Sequence, residues 1–175
     1  MRKKGNIILC GFMASGKTEV GKSIASMTGM PFIDTDELIV RREGESISSI
    51  FESRGEAYFR KVEKKIVFEV SNENGAVIAL GGGAVLDPDN LEAIRRNGRV
   101  YLLVVPLEAV IERTRTSPER PLLQGKNEEE LRKLLERRMP VYLEAADVVV
   151  DTERKSIEDV AEAIISEFRE YGSDP

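Results

Sequence analysis

The residues with the clearest chemical meaning lie near the start of the chain, where positions 11–18 read Gly-Phe-Met-Ala-Ser-Gly-Lys-Thr. This segment matches the phosphate-binding pattern G-x-x-x-x-G-K-[ST], in which glycines let backbone amides turn toward phosphate oxygens. Lys17 would neutralise charge on the outer phosphates, and the Thr18 hydroxyl would bind Mg²⁺. An apolar stretch ends at Cys10 and a helical pattern begins at Lys17, so a helix N-terminus would face the same anion. This context disfavours a glycine-rich turn that matches by chance, and the segment predicts ATP binding.

Two aspartates, Asp34 and Asp36, follow the second apolar stretch. Side chains at the carboxyl end of a parallel strand face the ligand-binding crevice of the sheet. Two such carboxylates can divide their roles, one beside a metal ion and one beside a substrate. The alternative is that both only form a turn, with Asp36 capping a helix that begins at Glu37. Because the third apolar stretch ends in glycines and offers no aspartate, we expect Asp34 to serve the metal.

Three consecutive glycines, Gly81, Gly82 and Gly83, end that third stretch. They expose backbone amides and let a ligand approach the chain closely. A flexible turn between a strand and a helix would use the same residues, so the run alone does not separate the two interpretations.

Four arginines differ from the other basic residues in their context. An arginine fork suits a carboxylate or a phosphate, and a mobile arginine can stabilise the charge of a transition state. Arg60 follows Tyr58-Phe59, and Arg120 lies beside Pro121 in a polar segment. Arg138 is expected to end a helix just before Met139-Pro140. The four are Arg60, Arg113, Arg120 and Arg138.

Composition narrows the possible functions. The 26 Lys and Arg residues against 31 Asp and Glu residues give a net charge of −5, which argues against a broad basic surface for nucleic acid. The single cysteine, Cys10, excludes an intrachain disulfide and fits a reducing cytosol. No apolar run approaches the roughly 20 residues of a membrane-spanning helix. The chain has no histidine, so a general base must be another residue type, such as aspartate.

Short apolar or β-branched stretches alternate with segments whose apolar residues recur with a helical period. This alternation predicts an α/β domain of three layers, with a parallel sheet covered by helices on both faces. Two stretches, 100–105 and 148–150, are almost continuously apolar, as expected for strands buried on both faces. The predicted strands are residues 6–10, 31–33, 76–80, 100–105 and 147–150.

Two segments interrupt this alternation in a chain that otherwise predicts a single domain over residues 1–175. The first, about residues 34–61, holds short helical pieces broken by Gly44 and Gly55. The second, about residues 114–127, is polar and precedes a strongly helical stretch. Segments inserted at the ligand-facing edge of such a sheet commonly form substrate pockets and lids, and we expect these two to do so.

Together the motifs resemble those of the shikimate kinases. The chain carries G-F-M-A-S-G-K-T, F-I-D-T-D, F-R-K-V-E, L-G-G-G-A-V, E-R-P-L-L and R-R-M-P-V-Y in that order, from about residue 6 to about residue 151. The first motif alone indicates only a large superfamily, whereas D-T-D, G-G-G and R-P-L-L in combination are much narrower. The resemblance implies a P-loop kinase domain of the nucleoside-monophosphate-kinase type, with sheet order 2-3-1-4-5. It also implies that ATP and Mg²⁺ are used to phosphorylate the 3-hydroxyl of shikimate, in aromatic amino-acid (chorismate) biosynthesis.

The resemblance also implies roles for individual residues. Lys17, Asp36 and Arg120 would be catalytic, with Asp36 accepting the proton of the shikimate hydroxyl and Arg120 moving in with the lid. Thr18 and Asp34 would serve the Mg²⁺ ion, Asp34 from its outer shell. The implied substrate-binding residues are Asp36, Arg60, Gly82, Gly83 and Arg138. The implied nucleotide-binding residues are Gly11, Ala14, Ser15, Gly16, Lys17, Thr18, Glu19, Arg113 and Lys155.

The resemblance implies shikimate and ATP as the substrates. The charge, the single cysteine and the lack of a long apolar run lead us to expect a cytoplasmic protein that binds neither nucleic acid nor membrane. A monomer is expected because no long heptad pattern or broad apolar stripe remains once the predicted core is accounted for. The chain departs from the family at Glu19, where many members carry a second hydroxyl residue. The polarity of the phosphate-binding loop could therefore differ from theirs.

Two other functions stay open at this point. A related kinase for another polyol acid, such as gluconate, would share the phosphate-binding loop but need not keep the glycine run and both anion-binding arginines together. A nucleotide-dependent switch would lack a substrate pocket and could carry a base-reading N-K-x-D motif, which this sequence does not contain.

Overall fold

The computed structural model describes residues 5–115 and 128–172, which form a sheet of five parallel strands flanked by helices. The strand order is β2-β3-β1-β4-β5, so the fold class and the order expected from the sequence are confirmed. Each observed strand overlaps its predicted stretch. The strands are β1 (Asn6–Cys10), β2 (Phe32–Asp34), β3 (Val77–Ala79), β4 (Gly98–Val104) and β5 (Val148–Asp151).

Helices connect the parallel strands, and a short 3-10 turn at Ala84–Leu86 follows β3. None of the helices in the described ranges is both long and apolar enough to cross a membrane. The helices are α1 (Lys17–Thr28), α2 (Thr35–Glu43), α3 (Ile47–Val70), α4 (Pro88–Arg95), α5 (Leu107–Arg115), α6 (Glu128–Ala145) and α7 (Ile157–Tyr171).

The sheet separates two apolar cores, and the central strand β1 contributes to both. Ile8 and Cys10 pack on the side of α3, α4 and α6, whereas Ile7 and Leu9 pack on the side of α1 and α7. Alternate side chains of a strand point to opposite faces, so a strand buried on both faces must be apolar throughout. This burial holds β1 rigidly, and the phosphate-binding loop begins where β1 ends.

The edge strand β5 does not follow this pattern. Val148 and Val150 pack against the core that contains α7, but Val149 on the opposite face is 52% exposed. The expectation that residues 148–150 are covered on both faces is therefore wrong. An edge strand has a neighbouring strand on one side only, and part of its outer face stays in contact with solvent.

The segment that follows β2 has the helical breaks expected from its glycines. Gly44 ends α2 with a φ of 72°, and Gly55 interrupts α3 with a φ of 80° and a ψ of 171°. Glycine adopts such backbone angles at little cost because it has no Cβ. The breaks divide the segment into short helices that line one side of the cleft described below.

Helix α6 is longer than the sequence predicts. We expected it to end at Arg138, before Pro140, but it continues to Ala145 with Pro140 inside. A proline in a helix interior costs about 3 kcal/mol because it removes one hydrogen bond and crowds the preceding turn. Tyr142 and Ala145 are both fully buried beyond that point, and their packing outweighs this cost.

Candidate active site

A cleft of about 870 Å³ lies at one edge of the sheet, lined by residues that follow β1, β2, β3 and β5. It collects nearly all of the site residues expected from the sequence. Arg120 lies outside the described residues, and Gly11, the first residue of the phosphate-binding loop, is buried and does not line the cleft. The expected residues that line the cleft are Ala14, Ser15, Gly16, Lys17, Thr18, Glu19, Asp34, Asp36, Arg60, Gly82, Gly83, Arg113, Arg138 and Lys155.

The phosphate-binding loop is shaped by three residues with positive φ, namely Gly11 (141°), Ala14 (58°) and Gly16 (90°). A Cβ at Gly11 would lie only 2.6 Å from the carbonyl oxygen of Leu103, so a larger residue does not fit there. Ala14 is unusual because a residue with a Cβ is strained at positive φ. Gly16 directly precedes α1, whose first amide N–H groups have no partner within the helix and attract anions.

Lys17 extends its ammonium group over the loop. Its Nζ donates to the carbonyl oxygens of Gly11 and Phe12, both at 2.9 Å, and to the Ser15 hydroxyl at 3.3 Å. These bonds hold a positive charge against the loop, directly before the N-terminal amides of α1. The loop can therefore bind a polyphosphate through both a cation and backbone donors.

Asp34 links the phosphate-binding loop to the helix that follows β2. Its Oδ2 accepts a hydrogen bond from the Thr18 hydroxyl at 2.8 Å, and its Oδ1 accepts from the amides of Asp36 and Glu37. Asp34 is thus the N-cap of α2, which begins at Thr35. The alternative in which Asp36 caps a helix beginning at Glu37 is wrong, because the helix begins two residues earlier, at Thr35.

The pairing of Thr18 with Asp34 fits a magnesium ion that is bound mainly through phosphate oxygens. Mg²⁺ usually takes one or two protein oxygens and keeps several waters. Within the described residues, no group of three or more acidic, cysteine or histidine side chains could hold a metal by itself. Hydroxyl and carboxylate oxygens beside a phosphate-binding loop are the expected donor set for this ion.

The two roles of Asp34 can be separated by substitution. Asp34→Ala should remove the cap and lower Tm by about 2–4 °C, the effect of about 1 kcal/mol in a domain of this size. Asp34→Asn should keep the cap and Tm, but its amide would donate to the Thr18 oxygen, so activity should need more Mg²⁺. Thermal melts and magnesium titrations of the initial rate measure the two effects. Equal magnesium dependence in wild type and Asp34→Asn would contradict a metal role.

The other end of the cleft holds a cluster of charged side chains around the glycine run. A Cβ at Gly81 would lie 2.6 Å from Asp36 Oδ1 and 3.0 Å from Glu63 Oε1, so only glycine lets the two carboxyl groups approach the backbone. Arg60 Nη1 donates to Glu63 Oε2 at 2.8 Å. The guanidinium group of Arg60 also lies against Gly83.

Glu63 is a site residue to which the sequence interpretation gave no role. It is 1% exposed, lines the cleft, and its Oε1 has no hydrogen-bond partner among the described residues. Burial raises the pKa of Glu63, and the positive charges of Arg60 and Arg138 oppose that rise. The F-R-K-V-E motif could have indicated this residue. Glu63 comes three positions after Arg60, and residues three apart on a helix lie on the same face.

Arg138 reaches the same cluster from α6. It is buried, at 8% exposure, yet it lines the cleft, and its charge acts on Glu63. A buried arginine requires anionic or hydrogen-bonding partners, since its charge cannot be removed at physiological pH. With Arg60, it gives this end of the cleft two guanidinium groups from different helices, a suitable arrangement for a carboxylate.

Two further expected residues, Arg113 and Lys155, are cations whose side chains donate to backbone carbonyl groups. Arg113 Nη1 donates to the Ala14 carbonyl oxygen at 2.8 Å, and Lys155 Nζ donates to the Asp151 carbonyl oxygen at 2.9 Å. Both line the cleft, whereas Arg154 is not among the described lining residues and its side chain is 91% exposed. The cleft therefore combines a phosphate-binding end with an end suited to an acidic, hydroxyl-bearing molecule.

Known proteins are similar to this chain in sequence over most of its length. The family profile described as shikimate kinase matches residues 13–169. The shikimate kinase of Caldanaerobacter subterraneus subsp. tengcongensis is 44% identical over 164 residues, covering 93% of this chain and 95% of that protein. The shikimate kinase of Thiobacillus denitrificans is 46% identical over 158 residues, covering 90% of this chain and 86% of that protein.

A solved structure gives the same result at the level of the fold. The shikimate kinase from Acinetobacter baumannii in complex with shikimate superposes with a TM-score of 0.93 and is 37% identical. The match covers 97% of this chain and 96% of that one. On this evidence of profile, sequence and structure, the chain belongs to the shikimate kinase family.

Proposed function

We propose that this chain transfers the γ-phosphate of ATP to the 3-hydroxyl of shikimate, forming shikimate 3-phosphate for aromatic amino-acid biosynthesis. The observation that carries the proposal is a single cleft with a phosphate-binding loop at one end and two arginines with two carboxyl groups at the other. Membership of the shikimate kinase family supports the choice of acceptor. The two ends meet at Asp34 and Asp36, which lie two positions apart in the chain.

On the donor side, the loop amides and Lys17 would hold the β- and γ-phosphates in position for an in-line transfer. Phosphoryl transfer needs little covalent help from the protein, so positioning and charge stabilisation provide most of the catalysis. Thr18 and Asp34 would hold Mg²⁺ against the phosphates, where the ion would neutralise charge as it develops. Arg113 and Lys155 lie where they could flank the remainder of the nucleotide.

On the acceptor side, Arg60 and Arg138 would bind the carboxylate of shikimate together with the amides of Gly82 and Gly83. Asp36 would orient the reacting hydroxyl and accept its proton as the oxygen–phosphorus bond forms. The proximity of Asp36 to Gly81 supports this role, because its carboxyl group lies beside the glycine run whose amides would bind the acceptor. Shikimate would thus be held by its carboxylate, which does not react, and activated at its 3-hydroxyl.

Arg120 and the lid complete the proposal. The expected lid, about residues 114–127, includes Arg120, which would approach the transferring phosphate when the lid closes over both substrates. An arginine that neutralises transition-state charge is a common device in phosphoryl transfer. We also propose that the chain acts as one domain, with the substrate-binding insert at about 34–61, and as a cytoplasmic monomer.

The proposal is tested by the rate of ADP formation with different acceptors. Shikimate should accelerate ADP release from ATP and Mg²⁺ by several orders of magnitude over water alone, and gluconate should not. A faster rate with gluconate would favour the related polyol-acid kinase. An acceptor-independent rate would favour a nucleotide-dependent switch.

The carboxylate-binding arginines give a further test. Arg60→Ala and Arg138→Ala should each raise the KM for shikimate by about 10–100-fold, the size of a lost charge-assisted hydrogen bond, and leave the KM for ATP nearly unchanged. An analogue of shikimate without its carboxylate should be a poor substrate for wild type and lose little more in either variant. A full additional loss with that analogue would show that the arginines act elsewhere.

A further inference from the structure

Tyr142 is a buried polar residue beside the cleft that the proposed reaction does not use. Its side chain comes from α6, is 0% exposed, and is not among the described residues that line the cleft. The hydroxyl donates a hydrogen bond to the carbonyl oxygen of Gly82. Burial raises the pKa of Tyr142, so the hydroxyl keeps its proton and remains a donor at neutral pH.

The carbonyl of Gly82 and the N–H of Gly83 belong to the same peptide unit. No cis peptide bond occurs in the described ranges, so this unit is trans and its carbonyl and N–H point in opposite directions. Holding the carbonyl against Tyr142 therefore turns the Gly83 N–H away from α6. Because glycines flank this unit, it could rotate at little cost, and the tyrosine hydroxyl selects one orientation.

The groups around this peptide unit favour an anion. A Cβ at Gly83 would lie 2.6 Å from Arg60 Nη2, so the backbone touches the guanidinium group. Arg138 lies one helical turn before Tyr142 on α6, and its positive charge opposes the rise in the pKa of that tyrosine. Gly83, Arg60 and Arg138 all line the cleft. Tyr142 thus contacts the peptide unit against which the Arg60 guanidinium group lies.

We propose that Tyr142 is a positioning residue that fixes the Gly82–Gly83 peptide so that the Gly83 N–H faces the carboxylate of the acceptor. This inference rests on the proposed function, since it takes shikimate as that acceptor. Tyr142 acts through the backbone and does not itself touch the substrate. Its hydroxyl also ties α6, the helix that follows the expected lid, to the loop that binds the acceptor.

Tyr142→Phe tests the inference because it removes the hydroxyl and keeps the ring. The KM for shikimate should rise about tenfold, since one hydrogen bond contributes about that factor to binding, while the KM for ATP and kcat change less than about twofold. The carboxylate-free analogue should be unaffected. Tyr101→Phe is the matched control, because Tyr101 is equally buried and its hydroxyl donates to Glu167 away from the cleft. It should leave the KM for shikimate unchanged.

A KM for shikimate that stays within twofold of wild type in Tyr142→Phe would overturn the inference. An equal rise in Tyr101→Phe, or an equal loss with the carboxylate-free analogue, would also overturn it.

If wild type did not phosphorylate shikimate at all, the proposed function would fail instead. The amide resonance of Gly83 in a ¹⁵N spectrum then still decides the inference: it should shift in Tyr142→Phe and not in Tyr101→Phe. Should Tyr142→Phe not fold, a crystal structure of wild type with shikimate replaces it. Gly83 N within about 3.2 Å of the carboxylate supports the inference, and a reversed peptide contradicts it.

Discussion

Lys17→Ala is expected to lower kcat by about 10³-fold or more. The Lys17 ammonium lies at the centre of the phosphate-binding loop, within 2.9 Å of two of its carbonyl oxygens. In the proposed transfer, charge on the phosphate would develop against this group, and alanine offers no replacement. The KM for shikimate should change little, because the acceptor is proposed to bind at the other end of the cleft. Steady-state ADP formation at saturating substrates measures the effect.

Lys22→Ala is the matched control for this prediction. Lys22 lies on the same helix, its side chain is 53% exposed, and it is not among the described residues that line the cleft. The substitution removes the same charge from α1, so it reports any general effect of charge on the reaction. A similar loss in both variants, or near wild-type turnover in Lys17→Ala, would contradict the assigned position of the loop.

Asp36→Asn is expected to lower kcat/KM for shikimate by about 10²-fold, and up to 10⁴-fold if proton transfer limits the rate. Asparagine keeps the size and some hydrogen bonding of aspartate but cannot accept the proton of the hydroxyl. Loose phosphoryl-transfer transition states demand little of a base, which places the effect toward the lower value. The chain has no histidine that could substitute. Affinity for ATP, measured by calorimetry without shikimate, should barely change.

Comparison with Asp34→Asn makes this prediction specific. Asp34 bonds to Thr18 at the phosphate end, whereas the Asp36 carboxyl group lies beside Gly81. Added Mg²⁺ should therefore restore part of the activity of Asp34→Asn and none of that of Asp36→Asn. The same magnesium dependence and the same loss of ATP affinity in both variants would refute this division of roles.

The sheet could be predicted from the sequence because each strand is determined mainly by its own residues and their immediate neighbours in the chain. The buried strand β1, the glycines after it and the start of α1 at Lys17 follow from side-chain type and backbone preference alone. The end of α6 could not be predicted in this way. Pro140 and the residues before it suggest an end at Arg138, and only the burial of Tyr142 against distant elements extends the helix.

The candidate active site could also be predicted only in part. Motif residues with a recognisable type, such as Lys17 and Arg60, line the cleft as expected. Glu63 and Tyr142 were not singled out because their importance depends on what they contact: an arginine one turn away and a carbonyl 60 positions earlier in the chain. A buried acid three positions after an anion-binding arginine is a pattern that sequence inspection could use. No local pattern links Tyr142 to Gly82.

The position of the new phosphate ester shows whether the chain phosphorylates the 3-hydroxyl of shikimate. After ATP, Mg²⁺ and shikimate have reacted with the protein, ¹H–³¹P correlation spectroscopy identifies the ring proton that couples to phosphorus. We expect one phosphate ester, coupled to the proton at C3, in an amount equal to the ADP formed. A phosphate on another hydroxyl, or ADP accompanied only by inorganic phosphate, would contradict it.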